Sequence, residues 1–171
     1  MIRVGGERTR RRLAMMRKSR RREDTLGETE DFLGAVLPRL TEADTALHNG
    51  DAGPRIAIWS HNDPVTLFGA ALMGSGWTEI RQVFESLASR FSNGAYEYEV
   101  IAAGASGDLG YVVGIEHSTA SVGGATPEAY DLRVTEVFRR EDGEWKVVHR
   151  HADPTPDSDA ARRQLARLVE P

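Results

Sequence analysis

The 171-residue chain contains no cysteine. This absence excludes disulfide bonds, thiolate metal ligands and thiol nucleophiles, and it fits a protein of the reducing cytoplasm, where we expect this one to be located. The sequence also lacks an apolar run of about 18 residues, so we expect no membrane span and no membrane partner. Apolar residues make up 40% and charged residues 28% of the chain, which is typical of a soluble protein with one domain plus tails.

Two kinds of catalytic motif are missing as well. The sequence contains no nucleophile elbow and no glycine-rich phosphate loop. Its most glycine-rich turn, from Gly104 to Gly107, is followed by Asp108 and a strand pattern, which is typical of a hairpin turn rather than a nucleotide-binding loop. An ATP- or NAD-dependent enzyme is therefore not expected, and we expect no cofactor.

Positive charge is concentrated at the start of the chain. Residues 1–23 hold ten arginine or lysine residues against Glu7 and Glu23, although the formal net charge of the whole chain is −4. Because blocks of like charge are usually disordered, we expect residues 1–26 to form a basic disordered arm, followed by a domain over residues 27–154 and a C-terminal tail or helix over residues 155–171. Nucleic acid is not expected as a partner; if it binds, the arm is the segment that would contact it.

The first half of the chain has helical periodicity. From Thr29 the apolar residues recur every three or four positions, which predicts a helix that either kinks or begins its regular part at Pro38. Gly53 and Pro54 start a short second helix. A third helix has one apolar stripe, formed by Ile80, Val83, Phe84, Leu87 and Phe91.

The second half has strand periodicity. A short strand is predicted within residues 60–69, and four longer strands over residues 95–103, 109–122, 128–140 and 144–152, separated by turn clusters. Helices followed by a meander predict an α+β fold, in which three N-terminal helices cover one face of a curved antiparallel sheet. A C-terminal helix is predicted to follow, capped by Asp157 or Ser158 and containing Ala161, Leu165, Leu168 and Val169.

The last hairpin, over residues 134–153, has the most distinctive pattern. Asp142 and Gly143 supply the turn, and Trp145, Val147, His149 and His151 alternate onto one face of the final strand. A terminal strand of the form DGxWxxVHxH after a TxVxRR strand resembles the nuclear transport factor 2-like superfamily, in particular its SnoaL-like and ketosteroid-isomerase-like branch and the association domain of calcium/calmodulin-dependent kinase II. The resemblance covers residues 30–154 and also rests on the segment WSHNDPVT at residues 59–66. It implies a cone-shaped (cystatin-like) fold with a pocket.

The resemblance also implies a catalytic site. If Trp145 is buried, His149 and His151 point into the cone. Glu116 and Glu136 each interrupt an otherwise apolar strand. The resemblance implies that they occupy positions at which the kinase association domain has arginines in its pocket. Two carboxylates near two histidines would suit proton abstraction and return.

The opposite strand parity is an open alternative. It would place Asp131, Arg133 and Thr135 in the pocket, an arrangement that resembles limonene-epoxide-hydrolase-like members. One sequence does not distinguish the two parities.

Other residues are expected to bind a ligand or wall the pocket. His61 and Asp63 lie in the loop before the first strand, where relatives place pocket residues, and Trp59, Phe68 and Tyr111 are candidate walls. Together with His149 and His151, the pair His61 and Asp63 could form a site for a divalent metal. We nevertheless predict no metal, because many residue pairs that bind no metal have the same spacing.

We therefore expect a SnoaL-like protein that binds a small hydrophobic or acidic organic molecule. Its function is expected to be that of a cofactor-free isomerase, cyclase or dehydratase, and the alternative is a non-catalytic ligand-binding or dimerisation module. A homodimer is predicted through the outer face of the sheet, with Val137, Arg139, Lys146, Val148 and Arg150 on that surface.

Overall fold

The computed structural model describes residues 5–155 together with 159, 163 and 166–168, and it describes side chains from residue 25 onward. Within residues 5–155 the chain forms three helices and six strands. The helices are α1 (Gly5–Leu47), α2 (Gly53–Ile58) and α3 (Trp77–Ala88). The strands are β1 (Thr66–Phe68), β2 (Met73–Ser75), β3 (Phe91–Ser106), β4 (Leu109–Val122), β5 (Glu128–Glu141) and β6 (Glu144–Pro154).

Helix α1 begins earlier than the sequence pattern predicted. Its backbone is helical from Gly5, within the segment predicted to form the basic arm, and the helix continues through Pro38 to Leu47. Arginine, lysine, leucine and methionine are all good helix formers, and the segment is rich in them. The part of α1 that packs on the sheet is the predicted apolar stripe, whose buried members are Phe32, Val36, Leu40, Ala43 and Leu47.

The sheet has the strand order β2-β1-β6-β5-β4-β3. Strands β3 to β6 form the predicted antiparallel meander, with bounds close to those expected. The expectation of a wholly antiparallel sheet is wrong, because β1 pairs with β6 in parallel. The chain leaves α2 at Trp59, which makes a parallel bridge to Val147, and then continues beside β6 in the same direction. Strand β2, which the sequence pattern did not predict, forms a hairpin with β1.

Strand β6 contains a bulge. In its register with β5, Phe138 pairs with Val147 and Val137 pairs with His149, so Val148 is an extra residue without a partner in the ladder. A bulge of one residue breaks the alternation of faces along a strand. Trp145 and Val147 before the bulge and Arg150 and Ala152 after it all lie on the face that the helices cover, here called the inner face.

The predicted C-terminal helix lies mostly outside the described residues. Residues 159, 163 and 166–168 are helical, and Leu168 packs against the core. Asp157, Ser158, Ala161, Leu165 and Val169 are not among the described residues. No helix in the part of the chain that the structure describes is long and apolar enough to cross a membrane.

Candidate functional site

Helices α1 and α3 and the inner face of the sheet surround a pocket that is partly open to solvent. Its rim is apolar and half-buried, and consists of residues 69–72 between β1 and β2, Val83 and Leu87 of α3, and Leu168. Its interior combines buried apolar side chains with buried polar ones. The polar lining residues are Asp44, His48, Arg55, Glu116, Tyr130 and Arg150.

Five charged residues form a buried polar cluster at this pocket: Asp44, Arg55, Glu116, Glu136 and Arg150. The Arg55 guanidinium donates to Asp44 Oδ2 at 2.7 Å and to Glu136 Oε1 at 2.9 Å. Arg150 Nη2 donates to Glu116 Oε2 at 2.5 Å, and its Nε lies 3.7 Å from Glu136 Oε1. Each of these five residues is at most 8% exposed, so the ion pairs operate with little screening by solvent.

Burial changes the acidity of two carboxyl groups of the cluster. It raises the pKa of Asp44 to about 6 and the pKa of Glu136 to about 7, because removal from water disfavours the charged form more than the arginines favour it. Glu136 Oε2 is buried and has no hydrogen-bond partner among the residues that the structure describes. Three carboxyl groups face two guanidinium groups, so one proton on the cluster would balance its charge.

His48 and Tyr130 extend the network. His48 Nδ1 lies 2.6 Å from the Asp44 backbone oxygen, and because a carbonyl oxygen only accepts, Nδ1 carries the hydrogen. Nε2 then accepts from the Tyr130 hydroxyl at 2.7 Å. Burial lowers the pKa of His48, which keeps this imidazole neutral. The Tyr96 hydroxyl donates to Glu116 Oε1 at 3.2 Å.

Two of the four predicted catalytic residues lie on the same face of the sheet as the pocket. Glu116 and Glu136 are on the inner face and are 2% and 0% exposed. Glu116 lines the pocket, and Glu136 contacts the two arginines that also line it. The inward facing of β4 and β5 that the resemblance implied is therefore confirmed for these two residues.

The predicted facing of His149 and His151 is wrong. The bulge at Val148 shifts both histidines to the outer face and brings Arg150 to the inner one. His149 Nδ1 lies 2.8 Å from Thr66 Oγ1, and Phe68 packs edge-on against both imidazole rings, at 5.6 and 5.9 Å between ring centroids. The predicted outward facing of Arg150 is wrong for the same reason.

The alternative parity does not hold either. Asp131, Arg133 and Thr135 alternate with the buried residues of β5 and therefore lie on the outer face. Arg133 forms an ion pair with Asp153, and Asp131 accepts from His117 at 2.9 Å. The pocket thus contains neither histidine of the last strand nor the acid and arginine pair of β5.

The residues expected to bind a ligand lie outside the pocket lining. Trp59 is buried and packs edge-on against Phe84 at 5.3 Å between centroids, so it is part of the core. His61 stacks on Trp77 at the surface, and Asp63 accepts from the Trp77 backbone at 3.0 Å and so caps the start of α3.

Phe68 and Tyr111, the other two predicted pocket walls, are both on the outer face, 43% and 45% exposed. The described residues contain no group of three or more histidine, aspartate or glutamate side chains suited to a metal ion.

Sequence reasoning missed several members of the polar site. A signal was present for Asp44 and His48, because both continue the helical spacing of Leu40, Ala43 and Leu47 and so fall on the buried stripe of α1. Arg55 lies in a short apolar helix, where a buried arginine implies acidic partners. Arg150 had no signal, because its facing depends on the bulge.

The sequence model of the SnoaL-like domain matches residues 36–155. No curated protein sequence matches the chain. Similar solved structures include a proposed dehydratase of the nuclear transport factor 2-like family from Streptomyces avermitilis, which is 19% identical, covers 75% of this chain and 99% of that one, and has a TM-score of 0.63.

Two further solved structures are similar. A ketosteroid isomerase-like protein from Erwinia carotovora atroseptica is 19% identical, covers 72% of this chain and 97% of that one, and has a TM-score of 0.58. A proposed calcium/calmodulin-dependent kinase II association domain from Xanthomonas campestris is 14% identical, covers 74% and 87%, and has a TM-score of 0.55. These likenesses show the α+β, cone-shaped nuclear transport factor 2-like (cystatin-like) fold. Since the family match spans most of the chain, the protein belongs to the SnoaL-like domain family.

Proposed function

We propose that the protein binds a small organic molecule in this pocket and acts on it by acid-base chemistry, as a cofactor-free isomerase, cyclase or dehydratase. The observation that carries the proposal is the buried polar cluster, which opens into an otherwise largely apolar pocket through Asp44 and Glu116. Asp44, with a pKa near 6, is the carboxyl group suited to take up and return a proton near neutral pH.

The energetics of the cluster support a functional role. Burying five charged groups costs desolvation energy, and ion pairs of this kind are often no more stabilising than apolar side chains of similar size. Shifted pKa values in a cleft are typical of functional sites. Two similar structures are named a proposed dehydratase and a ketosteroid isomerase-like protein, and both activities involve proton transfer at carbon.

Exchange of hydrogen for deuterium beside the carbonyl group of cyclic ketones, followed by NMR in D₂O, tests the proposal. We expect exchange with the wild-type protein and with the Glu42→Gln variant, whose substitution is exposed on the same helix. Asp44→Asn should reduce the rate about 100-fold or more, the range that loss of a general base produces. Wild-type exchange that Asp44→Asn leaves unchanged would contradict the role of Asp44.

The alternative is a non-catalytic ligand-binding module. It is favoured by the close pairing of Arg55 with Asp44 and of Arg150 with Glu116, since a paired carboxylate is a weaker base than a free one. Ligand binding in the pocket without exchange on any ketone would support this alternative, and absence of binding would contradict both functions.

We also propose that the protein forms a homodimer through the outer face of the sheet. Phe68, Leu109 and Tyr111 are large apolar residues on this face, and each is more than 40% exposed. Exposed apolar area of this kind is typical of a protein interface.

A further inference from the structure

We infer that the pocket recognises an apolar organic cation, an amine whose ammonium group binds beside Asp44 and Glu116. This inference rests on the ligand-binding function proposed above for the same pocket. It names the charge and the hydrogen-bonding character of the ligand, which the family and the fold leave open.

The charge of the polar cluster is the first argument. When all five groups are ionised, the carboxylates of Asp44, Glu116 and Glu136 outnumber the guanidinium groups of Arg55 and Arg150. Each arginine already has a carboxylate within 2.9 Å, so neither offers an unmatched positive charge to an anionic ligand. A ligand carboxylate would have to displace one of these partners, whereas an ammonium group would supply the missing positive charge.

The hydroxyl and imidazole donors beside the pocket are already used, whereas several acceptors are not. The hydroxyl hydrogens of Tyr96 and Tyr130 are both used inside the network, on Glu116 and on His48. The imidazole hydrogen of His48 is used on the Asp44 carbonyl. The carboxylate oxygens and the Tyr130 oxygen retain accepting capacity, and an ammonium group has three donors and no acceptor. The Nε atoms of Arg55 and Arg150 are buried donors with no hydrogen-bond partner among the described residues, so this end of the pocket also holds donors, and the preference for a cation rests on the excess of carboxylates.

The end of helix α1 adds negative potential. Asp44, Leu47 and His48 line the pocket at the C-terminus of this helix, and its last turn contains no basic residue. The C-terminal end of a helix carries a partial negative charge that favours cations nearby. The helix end and the carboxylate excess therefore act on a ligand in the same direction.

The other residues that line the pocket suit the apolar part of such a ligand. Leu67, Leu132, Phe84 and Phe91 are buried lining residues, and the rim of residues 69–72 with Val83, Leu87 and Leu168 is apolar. Aromatic faces also attract cations, and Arg55 already lies 5.7 Å from the centroid of the Phe84 ring. A phenyl or cyclohexyl group on the amine would match these apolar walls.

Matched compounds test the inference on the wild-type protein. Titration calorimetry at pH 7.5 would compare 2-phenylethylamine, 2-phenylethanol and phenylacetate, and the same three head groups on a cyclohexyl body. We expect each amine to bind about tenfold tighter than its alcohol, and each acid to bind most weakly. Equal binding of amine and alcohol, or tightest binding of the acid, would overturn the inference and leave the proposed ligand-binding function standing. Binding by none of the six compounds would overturn the inference, while the ketone-exchange experiment would still decide the proposed function.

A pair of variants locates the charge recognition. Asp44→Asn should remove most of the preference for the amine over the alcohol, while Glu42→Gln, an exposed change on the same helix, should retain it. Far-ultraviolet circular dichroism would confirm that both variants are folded. A folded Asp44→Asn protein with the full preference for the amine would contradict the inference, and if this variant does not fold, the wild-type series decides.

Discussion

Arg150 and Glu116 form an ion pair on the inner face of the sheet, with Nη2 and Oε2 2.5 Å apart, because an extra residue precedes Arg150 in its strand. Without the bulge at Val148, strict alternation from Trp145 would place His149 and His151 inside and Arg150 outside. The choice between a histidine pocket and an arginine-carboxylate pocket thus depends on a single residue that has no partner in the ladder.

Deletion of Val148 should therefore be tolerated. The shortened strand would alternate regularly, and Val147 and Arg150 would both still face inward, since Phe138 and Val137 already pair with Val147 and His149. Deletion of Thr135 in β5 is the control. The pairing of β5 with β4 and with β6 is regular at this position, so the deletion would shift the rest of the strand by one residue and move its side chains to the wrong face. Thermal unfolding should show a cooperative transition for the Val148 deletion only. An unfolded Val148 deletion would show that the bulge itself is required for the curvature of the sheet.

Glu136→Gln should change how stability depends on pH. The folded-state pKa of Glu136 is raised from 4.5 to about 7, so the folded protein binds more protons than the unfolded chain between these values. The stability that this group contributes is fully present below the unfolded pKa and is lost as pH rises through the folded one. Relative to Glu136→Gln, the wild-type protein should become progressively less stable from pH 5 to pH 8 in urea unfolding. A difference in unfolding free energy that is constant across this range would contradict the raised pKa.

Tyr130→Phe should destabilise the protein by about 1–3 kcal/mol, because it removes the donor to His48 Nε2 and leaves a buried acceptor unsatisfied. Tyr111→Phe is the matched control, since Tyr111 is 45% exposed on the outer face. Chemical unfolding of both variants measures the two effects. Equal effects would show that the hydrogen bond between His48 and Tyr130 contributes nothing specific.

Removal of residues 1–23 should leave the unfolding free energy within about 0.5 kcal/mol of the full-length value. Phe32 is the first buried apolar residue among the described side chains, and residues 25–28 are exposed, so the described packing of α1 on the sheet involves residues beyond the deleted segment. Calorimetry of the two proteins makes the comparison. A fall of several degrees in melting temperature would show that the basic segment docks on the acidic remainder of the chain.

The proposed dimer predicts a specific disruption. Tyr111→Lys places a charge in the outer face and should convert a sedimenting dimer into a monomer, while Glu42→Gln, which lies on a helix away from this face, should leave the dimer intact. Analytical ultracentrifugation across a range of protein concentrations measures both. A wild-type protein that sediments as a monomer at every concentration would contradict the proposal.

The sequence predicted the meander well because glycine-containing turns and alternating apolar residues mark its strands directly. Asp142 and Gly143 both have positive φ angles, of 50° and 86°, as the turn between β5 and β6 requires. Alternation alone left two facings open for Glu116 and Glu136, and the resemblance implied the inward one. The bulge had no such marker, since Val148 is an ordinary strand residue, and every assignment on β6 beyond it was inverted.

The polar cluster was harder to predict because its members are distant in sequence. Arg55 meets Asp44 and Glu136 only after α1, α2 and β5 have packed together, and the pairing of their charges is a property of the folded chain. Single residues such as Asp44 could have been recognised on the stripe of α1, but their partners could not.

The hairpin of β1 and β2 has a consequence for the kinetics of ligand exchange. Strand β1 is held to the rest of the sheet through three residues of β6, and β2 pairs with β1 alone in the described sheet. The turn that joins them, closed by a hydrogen bond of 2.8 Å from Gly69 N to Leu72 O, forms part of the pocket rim. Local opening of a weakly anchored segment costs less free energy than global unfolding. Residence time of a ligand would therefore be set by opening of this hairpin, while β3 to β6 stay intact, and its amide protons would exchange with solvent sooner than those of β4.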